Sequence, residues 1–425
     1  MPATTLERLQ EHIAQILIVD THEHIPDEAV AVKNKKSLFS FFEHYVSSDL
    51  VAAGMPREHL EKMRDESNAL SLADRWRLME PYWSYARTTA YGRAMIGYMR
   101  DLFGVEDINA GTYEELSNRI AAAQRPGWHR EVLRARARID KAVVTTWPGE
   151  PVRADRELLL SAPVLDHYAA VSTRDELQAL EKEAGHTIQT LAQLMQAQEA
   201  ALDRFANDGA VAVKIFLAYQ RTLLFERVEE SHARRVFDRA WLSQPRDLAF
   251  EDVKPLQDFM TRRAIALAAD RKLPVQIHTG MQEGNGNYLE NSRPTNLTNL
   301  FLHFPDARFD VFHAGYPWWR ESGVLAKAFP NVYADLAWVH AISPAAAATI
   351  LNEWIETVPS NKILGVGGDS NYVEGAYGHT QIARRVTAQV LAQKVEEDYL
   401  TIDEAERLAT RILRHNAIEA LRLDL

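Results

Sequence analysis

The stretch Ile16–Glu28, ILIVDTHEHIPDE, sets His22 and His24 one residue apart at the end of an apolar run. In a strand, residues two apart point to the same side, so both imidazoles can reach one space and one metal ion could take both. Such a pair also occurs in ordinary polar turns. The metal reading therefore needs support from other parts of the chain.

Seven more short apolar, β-branched runs have the same form, each followed by polar or glycine-rich residues. They are KAVVTTW (141–147), APVLDHY (162–168), AVAVKIFLAY (210–219), PVQIHTG (274–280), FDVFHAG (309–315), NVYADLA (331–337) and KILGVGGDS (362–370). Helical patterns separate them. Continuous apolar strands alternating with helices predict a parallel sheet buried on both faces, and eight such units predict closure into an α/β fold of the (β/α)8 TIM barrel type.

About 115 residues separate the first two runs, far beyond the usual βα loop of about 2 to 6. This interval is rich in aromatics and helix formers. It predicts a helical insertion over 30–135 that covers the barrel mouth, with Tyr82, Trp83, Tyr85, Arg87 and Arg93 as wall or lid residues, although each can equally pack the insertion's own core. A smaller helical excursion is expected over 220–257. Without a repeat or a linker-like tract, 1–425 reads as one domain.

The formal charge of -11 argues against nucleic acid or an anionic membrane surface as partner, since both reward clustered Lys and Arg. A small-molecule substrate is expected instead. The chain has no cysteine, which removes disulfides, thiolate ligands and Cys nucleophiles and leaves His, Asp, Glu and Lys for any metal. The N-terminus lacks a signal-peptide pattern, and no run reaches the roughly 18 apolar residues of a membrane span, so a cytoplasmic, soluble protein is expected.

His278, His313 and Asp369 stand at the ends of the fifth, sixth and eighth runs, where barrel enzymes carry their catalytic groups. Four histidines and an aspartate at such positions favour a metal over chance. Donors of nitrogen and oxygen without sulfur suit Zn2+, with Mn2+, Fe2+, Co2+ or Ni2+ open. Lys214 lies inside an apolar strand and must be paired, deprotonated or modified. A carbamate bridging two metals and a plain lysine that neutralises a carboxylate or binds substrate are equally consistent with its position.

VDTHEH, VKIFLAYQ, QIHTG, FHAGYPWWRESGVLAKAFPNVYADL and GGDS together resemble the amidohydrolase superfamily, notably the amidohydrolase-related branch also found fused to glutamine synthetase in fungal and nodulin-type proteins. The likeness runs from residue 16 to about 400 and is densest over 274–370. A weaker likeness to uronate isomerases lies in LAQLMQAQEAALDRFANDGAVAVK and in the insertion. The resemblance implies metal ligands at His22, His24, Lys214, His278, His313 and Asp369, holding one or two ions. In one-metal relatives the strand-six histidine serves the substrate, which leaves Lys214 and His313 outside the ligand set.

The resulting expectation is hydrolysis of a small carboxylate-bearing amide, ester or lactone by metal-activated water, with Asp369 as base and then acid and His313 at the substrate. Arg320 and Arg221 are candidate carboxylate clamps, and Tyr316, Trp318 and Trp319 candidate walls. A uronate-type aldose-ketose isomerase and a metal-dependent decarboxylase are the rivals, with a catalytically silent binding barrel behind them. Glu23 should point away from the metal by strand alternation. A homo-oligomer is expected from the resemblance and from general frequency.

Overall fold

The computed structural model describes residues 3–34, 36–152, 157–242 and 248–425. Its eight strands are β1 (Ile18–Glu23), β2 (Ile139–Thr146), β3 (Leu159–Pro163), β4 (Val213–Ile215), β5 (Val275–Ile277), β6 (Phe309–Val311), β7 (Val332–Asp335) and β8 (Ile363–Leu364). Seven fall within or largely overlap their apolar runs, whereas β3 begins three residues before APVLDHY and shares only Ala162 and Pro163 with it. All neighbouring pairs are parallel, β1–β2–β3 in one ladder and β4 through β8 in another. A parallel bridge from Val164 to Lys214 joins the ladders at β3–β4.

Closure at the other seam uses the backbone beyond β8. Thr21 N donates to Val366 O at 3.1 Å, Asp369 N to His22 O at 2.8 Å, and His24 N to Ser370 O at 2.9 Å. The sheet is thus a closed (β/α)8 barrel. Residues of β1 are buried on both faces, as strands covered by helices outside and packed side chains inside must be.

Most strands are shorter than their apolar runs because the chain leaves the sheet at the functional end. After β6 the backbone turns through His313 (φ 64°) and Ala314 (φ 51°), both left-handed. After β8 it passes Gly365, Gly367 and Gly368 to Asp369 (φ 53°). A Cβ on Gly368 would collide with the Glu23 carboxylate, and one on Gly367 would lie 2.6 Å from Ala337 Cβ. Only glycine allows the eighth strand end to lie this close to β1 and β7.

Helices Tyr45–Ala52, Arg57–Arg64, Leu72–Ala86, Ala90–Phe103 and Tyr113–Ala123 occupy the interval between β1 and β2; Lys35, within it, is outside the described residues. Helix Ala90–Phe103 lies on Val373–Glu396, the helix after β8. Gly378 makes room there for Tyr98, whose Cδ1 would be 2.6 Å from an added Cβ. Trp128 Nε1 adds a hydrogen bond to Glu374 Oε1 at 2.7 Å. In the interval 220–257, helix Glu230–Leu242 is followed by residues 243–247, which are outside the described residues, and then by helix Phe250–Asp270, which leads back to β5. No helix among the described residues is long and apolar enough to cross a membrane.

Gly368→Ala is expected to destabilise the fold by about 1–3 kcal/mol through overpacking at the β1–β8 seam. Urea melts of the variant and wild type measure this, and equal midpoints would mean the seam has slack.

Candidate metal centre

His22 and His24 leave β1 at the C-terminal mouth of the barrel, with Asp369 held opposite by the seam. His22 Nε2 lies 3.0 Å and His24 Nε2 3.1 Å from Asp369 Oδ1. Yet His22 Nε2 makes no contact with hydrogen-bond geometry among the described residues. The ligand atoms of His22, His313 and Asp369 lie within 4.8 Å of one another, as do those of His24, His44 and Asp369. Donor atoms this close, aimed at each other without hydrogen-bond geometry, suit a cation.

The β5 and β6 histidines make the point more sharply. His313 Nδ1 is 3.1 Å from Ala337 O, a carbonyl that can only accept, so the ring proton sits on Nδ1 and Nε2 carries a lone pair. His278 Nε2 is 3.2 Å from Met281 O, which by the same logic leaves the lone pair on Nδ1. These two lone-pair nitrogens stand 3.0 Å apart. A shared proton would require an imidazolium here, but burial and Lys214 push the His278 pKa well below the ordinary value, and burial and His278 do the same to His313. His22 is likewise depressed by burial and Lys214. Neutral imidazoles anchored through one nitrogen are the form in which histidine binds metal.

Asp369 has the opposite tendency. Burial opposes its ionisation, but His22, His44 and His24 outweigh that and hold its carboxyl well below the usual range. Lys214 Nζ is fully buried and finds no hydrogen-bond acceptor among the described residues. It sits 3.5 Å from the Phe312 ring centroid and 4.5 Å from that of Phe216. Burial pulls its pKa down to about 7, against the attraction of Asp369, Asp310, Asp335 and Asp166. The donor set therefore fits a divalent cation, with Lys214 beside it as an amine that gives up its proton far more readily than an exposed lysine.

Carboxyls beneath the mouth set the backbone. Asp20 Oδ1 accepts from His22 N at 3.0 Å and Gly368 N at 3.3 Å, and Glu23 Oε2 accepts from Ser370 N at 2.7 Å. Burial, reinforced by Asp20, raises the Glu23 pKa well above the ordinary value. Glu23 thus turns away from the histidines and ties β1 to the β8 loop. His340 and His379 donate to Gly365 O and Gly368 O and pin the same loop from outside.

A cavity of about 630 Å³ opens onto this centre, with His24, His44, Trp147, Asp166, Phe216, Tyr219, His278, Glu283 and Asp369 in its wall. His44 comes from the insertion, and sequence reasoning passed over it because nothing in SFFEHYV marks it as facing the barrel. The expected wall and clamp residues need correction. Arg221 is buried in an ion pair with Asp258, and Arg320 is 69% exposed beside Glu353, so neither reaches the cavity. Tyr316 packs on Trp338 and Trp319, and Trp318 lies against Arg293. Within the insertion, Trp83 is buried with its Nε1 on Ile108 O, Arg87 pairs with Asp107, and Tyr85 is exposed. Tyr82 and Arg93 also stay out of the cavity wall.

The sequence model of the amidohydrolase family matches residues 195–423, more than half of the chain. The chain belongs to the amidohydrolase family. Protein fluG of Emericella nidulans is 32% identical over 229 residues, which are 51% of this chain and 26% of that protein. The chain thus spans about a quarter of the length of that relative. A uronate isomerase of Phenylobacterium zucineum is 22% identical over 98% of this chain and 93% of its own length. In fold, the chain is similar to the uronate isomerase of Thermotoga maritima, with TM-score 0.81 at 19% identity, covering 99% of this chain and 97% of that one.

Lys214 gives a signed pH prediction. Its folded pKa of about 7 lies below the ordinary 10.5, so the native state binds fewer protons than the unfolded chain between those values, and its contribution to stability rises with pH across that window. Lys214→Met should melt higher than wild type at pH 7 and lose most of this slope. Metal-free melts at pH 7 and 9 test it, and a variant less stable than wild type at pH 7 would contradict it.

Proposed function

We propose that this amidohydrolase is a metal-dependent hydrolase that cleaves a C–N or C–O acyl bond in a small molecule. His22, His24, His278, His313 and Asp369 would hold the ion, with Zn2+ first by donor chemistry, and Lys214 is poised beside them. A divalent ion bound there supplies Lewis acidity, which acidifies water and polarises a carbonyl. The chain's own part begins with the anionic Asp369 at the cavity floor. Its carboxylate takes a proton from water as the water oxygen bonds to the acyl carbon, and gives it to the leaving nitrogen or oxygen as the acyl bond breaks. Trp147 and Phe216, whose rings stack at 5.3 Å, form the apolar wall over that step.

The observation that carries hydrolysis over uronate isomerisation is the composition of the wall. Among the described residues no Lys or Arg lines the cavity, whereas Asp166, Glu176, Glu183 and Glu283 do. A sugar acid would find no cationic partner among these residues, and the carboxylate required of the substrate by the two arginines is no longer called for. The isomerase reading keeps one observation in its favour. A groove of about 1110 Å³ meets the cavity at His24, Trp147 and Asn371 and carries Lys33, Lys36 and Arg64, which could hold a carboxylate at the entrance.

A panel of lactones, esters and N-acyl amines, run beside aldohexuronates, separates the two. We expect acid release from at least one acyl substrate, its loss on chelation, and a fall of about 100-fold or more for Asp369→Asn. Ketose formation from a uronate with no acyl hydrolysis would establish the isomerase instead.

A further inference from the structure

The cavity above the metal centre carries negative charge that the chain leaves without a counter-ion. Of the acids in its wall besides Asp369, Glu183 alone pairs with a Lys or Arg among the described residues, meeting Arg204 Nη2 at 2.6 Å. Asp166 accepts only from Phe216 N, at 3.0 Å to either oxygen, and Glu176 accepts from Ser172 N at 2.7 Å and Thr173 N at 2.9 Å. Glu283 faces the His44 ring at 3.9 Å. We propose that this cavity takes an acyl substrate bearing an alkylammonium group, set off from the scissile bond by an apolar segment. The inference rests on the hydrolase reading above and names the class of molecule that reading leaves open.

The apolar segment follows from the far wall. Helix Arg174–Ala184 presents Glu176, Ala179, Leu180 and Glu183 to the cavity, spaced as one helical face, with the apolar pair between the two acids. Val164, Ala170 and Val171 continue the apolar surface across from β3. An alkyl chain reaching away from Asp369 would lie on these residues, and Glu176, at the free end of the face, would meet a charge at its tip.

The near wall suits the same charge. Trp147 lines the cavity while 46% exposed, and it stacks on Phe216 at 5.3 Å, which in turn meets Tyr219 at 6.3 Å. Aromatic faces flanked by carboxylates attract an ammonium through the ring quadrupole as well as through charge. Asp166, only 9% exposed, has its pKa pushed by burial up to about 7, and a cation beside it would favour the carboxylate. His44 stands in the same wall, 7% exposed, and its Nδ1 has no hydrogen-bond partner among the described residues, a group that a bound molecule would satisfy. Asp166, Glu176 and Glu283 belong to no cluster of donors close enough for a metal ion among the described residues, so their spread suits an organic cation.

The test gives the zinc-loaded full chain three matched amides: monoacetylated hexanediamine, N-hexylacetamide and acetamidohexanoate. The cation should be cleaved with kcat/KM about 10-fold or more above the neutral amide and about 100-fold above the anion. Glu176→Gln, which keeps an acceptor for the helix cap, should cut the cation-to-neutral ratio about 5-fold or more. Equal cleavage of all three by the wild type overturns the inference and leaves hydrolysis standing. Where none is cleaved, calorimetric titration with hexyltrimethylammonium, which cannot ligate a metal, decides. Binding weakened about 5-fold or more in both Glu176→Gln and Asp166→Asn supports the cation site although hydrolysis has failed, and no binding, or binding that both variants leave unchanged, overturns it.

Discussion

The structure depends on how β1 meets the chain beyond β8. Three backbone hydrogen bonds close that seam, from Thr21, Asp369 and His24, and two of them flank the side chains that converge on the candidate metal centre. Each is worth only about 1 kcal/mol, but their register fixes which side chains face each other. Asp20 and Glu23 reinforce the same seam by accepting from His22 N, Gly368 N and Ser370 N. The glycines at 367 and 368 are required because the strands approach within the radius of a methyl group. Barrel closure and site assembly are one event, since a slip of one residue at this seam would turn His22 and His24 away from Asp369.

Burial then decides the chemistry of the groups so assembled. Imidazoles in this interior stay neutral, and their outer nitrogens are spoken for by Ala337 O and Met281 O, which leaves lone pairs facing one another. A protein interior rarely keeps such an arrangement without a cation to resolve it. Lys214 adds an amine that cannot easily carry its charge there. The barrel scaffold holds these groups rigidly, and the helical insertion contributes His44 to the cavity wall.

Most of the fold was legible because parallel strands buried on both faces must be apolar along their whole length. Their ends were harder to read. KILGVGGDS looks like one long strand, but only Ile363 and Leu364 pair as one, because the glycines that follow serve close approach and a left-handed turn. The strand-end residues His22, His24, His278, His313 and Asp369 could be picked out because barrel topology puts such positions at one mouth. His44 could not, since its place depends on how a long insertion docks, which local pattern does not encode. Arg221 and Arg320 misled for a related reason. An arginine near a strand end looks free in one dimension, while Asp258 and Glu353, its partners in space, lie more than thirty residues away along the chain.

The central claim is that histidines from β1, β5 and β6 share a metal ion with Asp369. X-ray absorption on the zinc-loaded chain tests it most directly. The account predicts a first shell of nitrogen and oxygen at about 2.0–2.1 Å, with no sulfur and with the outer-shell scattering of at least two imidazole rings. A shell of oxygen alone without imidazole scattering, or zinc that washes off on gel filtration, would contradict it.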